Sequence, residues 1–478
     1  MAKYFGRLLS GHFVDCGRKI GNVMTKTKSM FFCQECGYDS PKWLGRCPGC
    51  GAWNSMREEI VRKENAKVRY ESSSAKPQSI TSIEVEPLPR IKSGIEEVNR
   101  VLGGGIVPNS LLLLGGDPGI GKSTLALQIA MNIAHMGEKV FYVSGEESAA
   151  QIRMRAERLG VLPEQLILFA ATELDSIIKE AKEVNPTLMI VDSIQTLYLP
   201  ELSSAPGSIS QVREGTGRLL RFAKENKSSV LIIGHVTKDG TIAGPRLLEH
   251  MVDGVLYFEG DNSHAFRILR AIKNRFGGTH EVGIFSMTQG GLKEVENPSL
   301  LLLEERPVDA AGSAVFSCME GARPLLIEIQ ALVSQSIYSS ARRMSKGFDT
   351  SRLALLAAVV EKQLQIPLSS QDIYINVIGG LETQEPAADL AIIAAIISCF
   401  RGKSIDSEMV VIGEVGLTGE IRSVPQIELR VREAFRLGYS KFIVPKGNQK
   451  EIERLKIGKI FGVKTIFEMD KIIKGGKV

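Results

Sequence analysis

Leu111 to Thr124, LLLLGGDPGIGKST, organises the rest of this chain. Four consecutive leucines suit a buried parallel strand, and the following LALQIAMNIAHMG suits a helix. Between them, Gly116-Asp117-Pro118-Gly119-Ile120-Gly121-Lys122-Ser123 has the spacing Gly-x-x-x-x-Gly-Lys-Ser/Thr. A loop of this kind, entered from a strand and left by a helix, turns backbone N–H groups inward around phosphate oxygens. The helix N-terminus adds the positive end of its dipole. Residues 116 to 124, ending in Ser123 and Thr124, are therefore expected to bind ATP. Lys122 is expected on the β/γ-phosphates and Ser123 on Mg²⁺.

From Ile91 to about Gln289 strands and helices alternate, the pattern of a parallel sheet covered on both faces. Functional side chains of such sheets sit at the carboxyl ends of the strands. The strand Leu188–Val191 ends at Asp192, which fits an acid that holds Mg²⁺ or its water. The strand 139–144 ends at Gly145-Glu146-Glu147, where either carboxylate suits a base for the attacking water. The strand Val230–Ile233 leads to His235, read as a γ-phosphate sensor or as a structural histidine.

At 478 residues the chain is too long for one core, and about three domains are expected. Residues 1–30 show no clear periodicity and read as a flexible extension. Cys33-x-x-Cys36-Gly and Cys47-x-x-Cys50-Gly follow, ten residues apart. Four thiolates in two knuckles make a closed tetrahedral Zn²⁺ site over 31–56, in preference to redox pairs or disulfides. Trp43 and Trp53 are expected to pack over this small module, with stacking on a nucleobase as the alternative. Residues 57–89 are charged, then Ser- and Pro-containing, and read as a linker. Residues 90–297 form the ATP-binding domain, and the composition changes at 298–478. A net charge of +5 is compatible with nucleic acid but also with an ordinary solvated surface. The richest apolar run, Ala387–Phe400, contains Asp389 and suits a buried helix, so no membrane partner is expected. With no apolar signal core, and with three scattered cysteines besides the cluster, a reducing cytoplasm is expected.

Gly103-Gly-Gly-Ile106, the phosphate loop, Val-Ser-Gly-Glu-Glu147 and Val191-Asp192-Ser193 together resemble a RecA-type ATPase. Lys273-Asn274-Arg275-Phe276-Gly277, joined to the four-cysteine module, resembles the bacterial RadA (Sms) DNA-repair family. That resemblance covers about residues 31–475. It implies an α/β fold: a RecA-like parallel-sheet ATPase core, an N-terminal zinc module and a C-terminal α+β Lon-protease-like domain. It also implies that Lys273 and Arg275 reach a neighbouring subunit's ATP, as the Lys-x-Arg pair of ring helicases does. Charge spreading over a transferring phosphoryl group gives such cations their use. Single-stranded and branched DNA, a homo-hexameric ring and a RecA-type recombinase are the implied partners. Two Gly/Ser/Pro-rich connections, Leu199–Glu214 and Thr237–Arg246, lie where RecA-type proteins hold DNA. Both are expected to be mobile, and Arg213, Lys238 and Arg246 are as well suited to a plain surface as to DNA.

Beyond Pro298, Val315–Glu320 and Arg323–Ser334 read as paired strands and Thr350–Gln363 as a helix. The element order resembles the Lon proteolytic domain. Ala387 stands where that family has its serine and Arg430 roughly where it has its lysine. Alanine carries no nucleophile and arginine does not deprotonate, so the domain is expected to be inactive. Arg342, Arg343 and Lys346 are its most basic cluster. The expected activity is a DNA-dependent ATPase and ring helicase that translocates on single-stranded DNA and drives branch migration in recombinational repair. The alternative is a nucleotide-switched, KaiC-like scaffold, and an ATP-dependent protease is disfavoured by Ala387 and Arg430.

Overall fold

The computed structural model describes residues 27–33, 38–49, 51–62, 79, 89–234, 246–260, 266–307, 309–337, 340–380 and 382–475. Among them no helix is long and apolar enough to cross a membrane.

The first module is a three-stranded antiparallel sheet of β1 (Thr27–Cys33), β2 (Asp39–Ser40) and β3 (Met56–Arg62), in the order β2-β1-β3. Strand β1 begins inside the expected extension, and β3 runs into the expected linker. Thr27 pairs with Arg62 and Cys33 with Met56, so the two strands need each other's full length to complete the ladder. Cys33, Cys47 and Met56 are buried, with Phe31 and Leu44 packed on them. The tryptophans depart from expectation: Trp43 is 54% and Trp53 72% exposed. Two buried thiols and three mid-sized side chains already fill so small a core.

Next comes a nine-stranded sheet. Its strands are β4 (Leu111–Gly116), β5 (Val140–Ser144), β6 (Leu166–Ala170), β7 (Leu188–Asp192), β8 (Ser229–Ile233), β9 (Gly254–Glu259), β10 (Arg267–Asn274), β11 (Val282–Thr288) and β12 (Gly291–Glu294). The order is β12-β11-β10-β9-β4-β8-β7-β5-β6. Pairing is parallel from β9 to β6 and antiparallel from β9 to β12. Leu112 and Leu114 face one core with α1 (Glu96–Val101), α2 (Lys122–His135) and α3 (Ala149–Leu159). Leu111 and Leu113 face another, with α4 (Leu174–Val184), α5 (Ile209–Glu225) and α6 (Arg246–Met251). That two-sided burial is why β4 reads as an unbroken apolar run. The expected sheet is correct in its parallel half, and the antiparallel extension β10–β12 continues it towards the C-terminal domain.

A short helix, α7 (Pro298–Leu303), leads out, capped by the Asn297 side chain accepting from Leu300 N–H. The last domain has the strands β13 (Ser313–Glu320), β14 (Arg323–Gln335), β15 (Arg343–Lys346), β16 (Gln371–Val377), β17 (Met409–Val411), the hairpin β18 (Glu414–Val415) and β19 (Ile421–Arg422), β20 (Lys441–Pro445) and β21 (Lys459–Val463). The main sheet runs β15-β16-β14-β13-β17-β20-β21. It carries α8 (Thr350–Leu364), α9 (Asp389–Arg401), α10 (Ile427–Arg436), α11 (Gln449–Glu453) and α12 (Ile466–Ile473). Helix α9 is buried on all sides from Asp389 to Ser398, which explains its apolar run without a membrane. Two ion pairs join the large domains: Arg323 Nη1 to Glu97 Oε2 at 2.9 Å and Arg270 Nη2 to Glu320 Oε2 at 2.6 Å.

Candidate nucleotide site

Strand β4 ends at Gly116, whose φ of 144° lets the chain leave the sheet beside the Phe258 carbonyl. A Cβ there would lie 2.4 Å from that oxygen, so only glycine fits. Gly121, also at positive φ, forms the N-cap of α2, and no acidic residue occupies the first turn of that helix. Its N–H groups thus face the loop without an internal anion. Lys122 is buried, and its Nζ donates to Gly116 O at 2.7 Å and Asp117 O at 2.8 Å. Burial holds its ammonium below the usual lysine range, opposed by the charges of Asp117, Asp192 and Glu146.

The two acidic strand ends converge on this loop because β5 and β7 are neighbours, with Ser144 opposite Asp192. Asp192 Oδ2 accepts from the buried Tyr142 hydroxyl at 2.8 Å. Burial, and then the Asp192 charge, hold Tyr142 well above the usual phenol range, so it donates at any physiological pH. Sequence reading passed over Tyr142; the signal was a lone hydroxyl in the otherwise apolar run VFYV. The two glutamates part company. Glu146 Oε1 accepts from Ser193 Oγ at 2.6 Å, on the loop side. Glu147 forms an ion pair with Arg155 of α3.

Lys273 and Arg275 lie together, but not simply as i and i+2 on one strand face. Pairing between β9 and β10 is irregular between Ala271 and Lys273, and Arg275 falls beyond the strand. Lys273 Nζ donates to the carbonyls of Glu249 (2.5 Å), Val252 (2.8 Å) and His250 (3.3 Å) at the end of α6. Partial burial, and next the Arg275 charge, hold its ammonium below the usual range. Arg275 donates to Asp253 Oδ1 at 3.1 Å and to His250 O at 3.4 Å. Register places this pair relative to the phosphate loop. Lys273 sits opposite Val255, which sits opposite Leu113, near the start of β4. The loop begins at the other end of that strand, roughly 10 Å further along and two strands, roughly 10 Å, to the side.

Arg90, which sequence reading missed, and Asn274 of the motif itself hold the Lys-Asn-Arg-Phe-Gly turn. Arg90 donates to Phe276 O at 2.7 Å and to Leu102 O at 2.7 Å. Asn274 Oδ1 accepts from Phe276 N at 3.0 Å. The turn therefore rests on the Gly103-Gly-Gly lead-in, far away in sequence.

Of the two long connections, the first is tied down rather than mobile. The buried side chain of Gln211 accepts from Leu199 N at 2.8 Å and donates to Ser204 O at 3.0 Å, and α5 takes in Arg213 and Glu214. His235, Lys238 and the Arg246 side chain lie outside the described residues.

In the zinc module, Cys33 and Cys47 are buried, and Gly49 N–H points at Cys47 Sγ from 3.3 Å, the arrangement that stabilises a thiolate. Cys36 and Cys50 lie outside the described residues. The described half of the four-cysteine set fits a structural zinc ion.

Three family models match the chain: an AAA domain over residues 80–241, a rubredoxin metal binding domain over 31–58, and subunit ChlI of Mg-chelatase over 326–448. The DNA repair protein RadA of Bacillus subtilis (strain 168) is 51% identical over 458 residues, covering 95% of this chain and 100% of that protein. The chain belongs to the RadA DNA-repair family. RadA of Streptococcus pyogenes serotype M6 is 49% identical over 452 residues, 94% of this chain and 100% of its own. A solved structure, the RadB recombinase, aligns with 43% of this chain and 100% of its own at 26% identity, with a TM-score of 0.35, too loose an overlap to inform the fold. The RadA-family architecture is thus a zinc ribbon, a RecA-like ATPase domain and a ChlI/Lon-like domain.

In the last domain of this RadA-family chain, Arg430 meets Glu385, which lies in the turn that leads to Ala387. Arg430 is fully buried and forms a two-pronged ion pair with Glu385; its Nη1 donates to Ser317 O at 2.5 Å and its Nε to Pro425 O at 3.1 Å. The guanidinium joins α10, β13 and the turn before α9. Arg430→Ala removes the charged partner of Glu385, which keeps the Met319 N–H at 3.1 Å, and takes a buried donor from two carbonyls; it is expected to destabilise the domain by about 3–5 kcal/mol. Denaturant unfolding followed on the full chain checks this; an unchanged midpoint would remove Arg430 from the core. Of the basic cluster, Arg343 is held by the carbonyls of Leu368 (2.7 Å) and Gln371.

Proposed function

We propose that this chain is a ring-forming, DNA-dependent ATPase that translocates on single-stranded DNA and drives branch migration of recombination intermediates. In this reading residues 116–124 hold the nucleotide phosphates, Lys122 neutralises the β/γ oxygens, and Ser123 and Asp192 hold Mg²⁺. That ion supplies charge neutralisation at the phosphates. Glu146, not Glu147, orients the attacking water and takes its proton as ATP is split into ADP and phosphate. Tyr142 fixes the Asp192 carboxylate through its hydroxyl. Cys33, Cys36, Cys47 and Cys50 hold Zn²⁺ as a structural ion. The C-terminal domain is not a protease: Ala387 carries no nucleophile, and Arg430 is buried in an ion pair with Glu385.

One observation carries the shared-site part of this reading. Lys273 and Arg275 sit at the opposite end of the parallel strands from their own phosphate loop. Two cations so placed are of no use to the nucleotide on their own chain, whereas a neighbour in a closed ring, taken as a hexamer, can receive them. Single-stranded and branched DNA are the proposed substrates, a RecA-type recombinase the proposed protein partner, and the cytoplasm the proposed location.

The test is an ATPase titration with single-stranded, duplex and branched DNA, alongside strand displacement on a forked substrate. ATP turnover is expected to rise at least severalfold with single-stranded DNA, with displacement that requires hydrolysis. Equal rates with and without DNA, and no displacement, reject the motor and favour the nucleotide-switched scaffold.

A further inference from the structure

Both tryptophans of the chain lie on the zinc module. A module this small ordinarily buries its largest apolar side chains. Here Phe31, Leu44 and Met56 form the core with Cys33 and Cys47, while Trp53, Trp43 and Tyr38 are 72%, 54% and 41% exposed. The two indoles are brought to one end of the second cysteine knuckle. Trp53 is bridged to Arg46, Asn54 N donates to Gly45 O at 2.8 Å, and a Cβ on Gly45 would lie 3.6 Å from Trp43 Cη2. The Arg46 guanidinium stands 5.7 Å from the Trp53 ring centroid, its Nε donating to Gly51 O at 3.1 Å. Lys42 is exposed beside Trp43. Between Tyr38 and Asn54 the sequence carries two cations, Lys42 and Arg46, against one acid, Asp39.

We infer that Trp43, Trp53 and Tyr38, with Lys42 and Arg46, form a stacking site for the bases of single-stranded DNA on the outer surface of the zinc ribbon. Exposed π-faces accept any base, and neighbouring cations meet the phosphates between bases. Duplex DNA hides its base faces, which selects the single strand. An apolar protein partner would call for aliphatic residues around the indoles, and cations stand there instead. This site is separate from the nucleotide site and does not depend on translocation.

Because these are the only tryptophans, their fluorescence reads the site directly in the full-length, zinc-loaded chain. Titration with oligothymidylate is expected to quench the emission. The Lys122→Ala variant is expected to quench equally, which separates this site from the motor. Trp43→Ala with Trp53→Ala is expected to weaken oligothymidylate binding, followed by anisotropy without ATP, by about tenfold or more, with the salt slope retained. Trp→Phe changes are expected to restore much of the affinity. Arg46→Ala is expected to reduce the salt slope by about one. An unchanged zinc-to-protein ratio in each variant shows that the module still folds. DNA binding without quenching, or an Ala double variant that binds as tightly as the wild type, overturns the inference. Quenching by a recombinase and not by oligothymidylate overturns it equally.

Discussion

Glu146→Gln is expected to lower DNA-stimulated ATP turnover by about a hundredfold to ten-thousandfold, the range lost with a general base. The neighbouring Glu147→Gln should leave turnover within about threefold of wild type, since it disturbs only a partly exposed ion pair with Arg155. The sequence places both at the end of β5 and does not choose. Side-chain direction does: Glu146 accepts from Ser193 Oγ at 2.6 Å and is close enough to Lys122 to act on its charge, whereas Glu147 is engaged with α3. Glutamine keeps the size and one acceptor oxygen of Glu146 but takes no proton from water. ATP binding by Glu146→Gln, followed with a fluorescent analogue, should therefore stay at the wild-type level while hydrolysis stops. The reverse pattern, an inert Glu147→Gln beside an active Glu146→Gln, would transfer the role to Glu147.

What the sequence disclosed depended on how local each feature is. The phosphate loop, the acids at strand ends and the paired strands β13 and β14 follow from residue types at short, fixed spacings, and they appear where expected. Contacts between distant segments were not legible. Nothing near Arg90 announces that it carries the Phe276 carbonyl, and Gln211 looks like any polar helix residue although it ties residues 199–204. That network turned an expected mobile loop into an ordered one. The tryptophans misled for a different reason. Packing economy argues that a small module buries them, but two thiols held in one core take up the same space. Arg430 was legible as a substitution for lysine; its full burial against Glu385 was not, because the partner is 45 residues away.

Mixing two inactive variants is expected to regenerate activity. Arg275→Ala alone should lower turnover by about 10³-fold or more, the scale of an arginine supplied to a neighbour's phosphoryl transfer. Lys122→Ala alone should be inactive. In rings assembled from equal amounts of both, an interface works when an Arg275→Ala subunit supplies the phosphate loop and a Lys122→Ala subunit supplies Arg275. Random assembly makes that arrangement at about one interface in four, so mixed rings should reach about a quarter of wild-type turnover if interfaces act independently. A cis role predicts no recovery at any ratio, because every chain then lacks one half of its own site. Arg275 is the better residue for this test than Lys273. Lys273 holds three carbonyls at the end of α6, so its loss also loosens that helix. Arg275 is half-exposed, and Asp253, its ion-pair partner, keeps Leu111 N–H at 3.0 Å and Lys224 at 3.0 Å when Arg275 is gone. Recovery in mixed rings would therefore report the shared phosphate site and not a repaired fold, since neither variant can mend the other's packing across a subunit boundary.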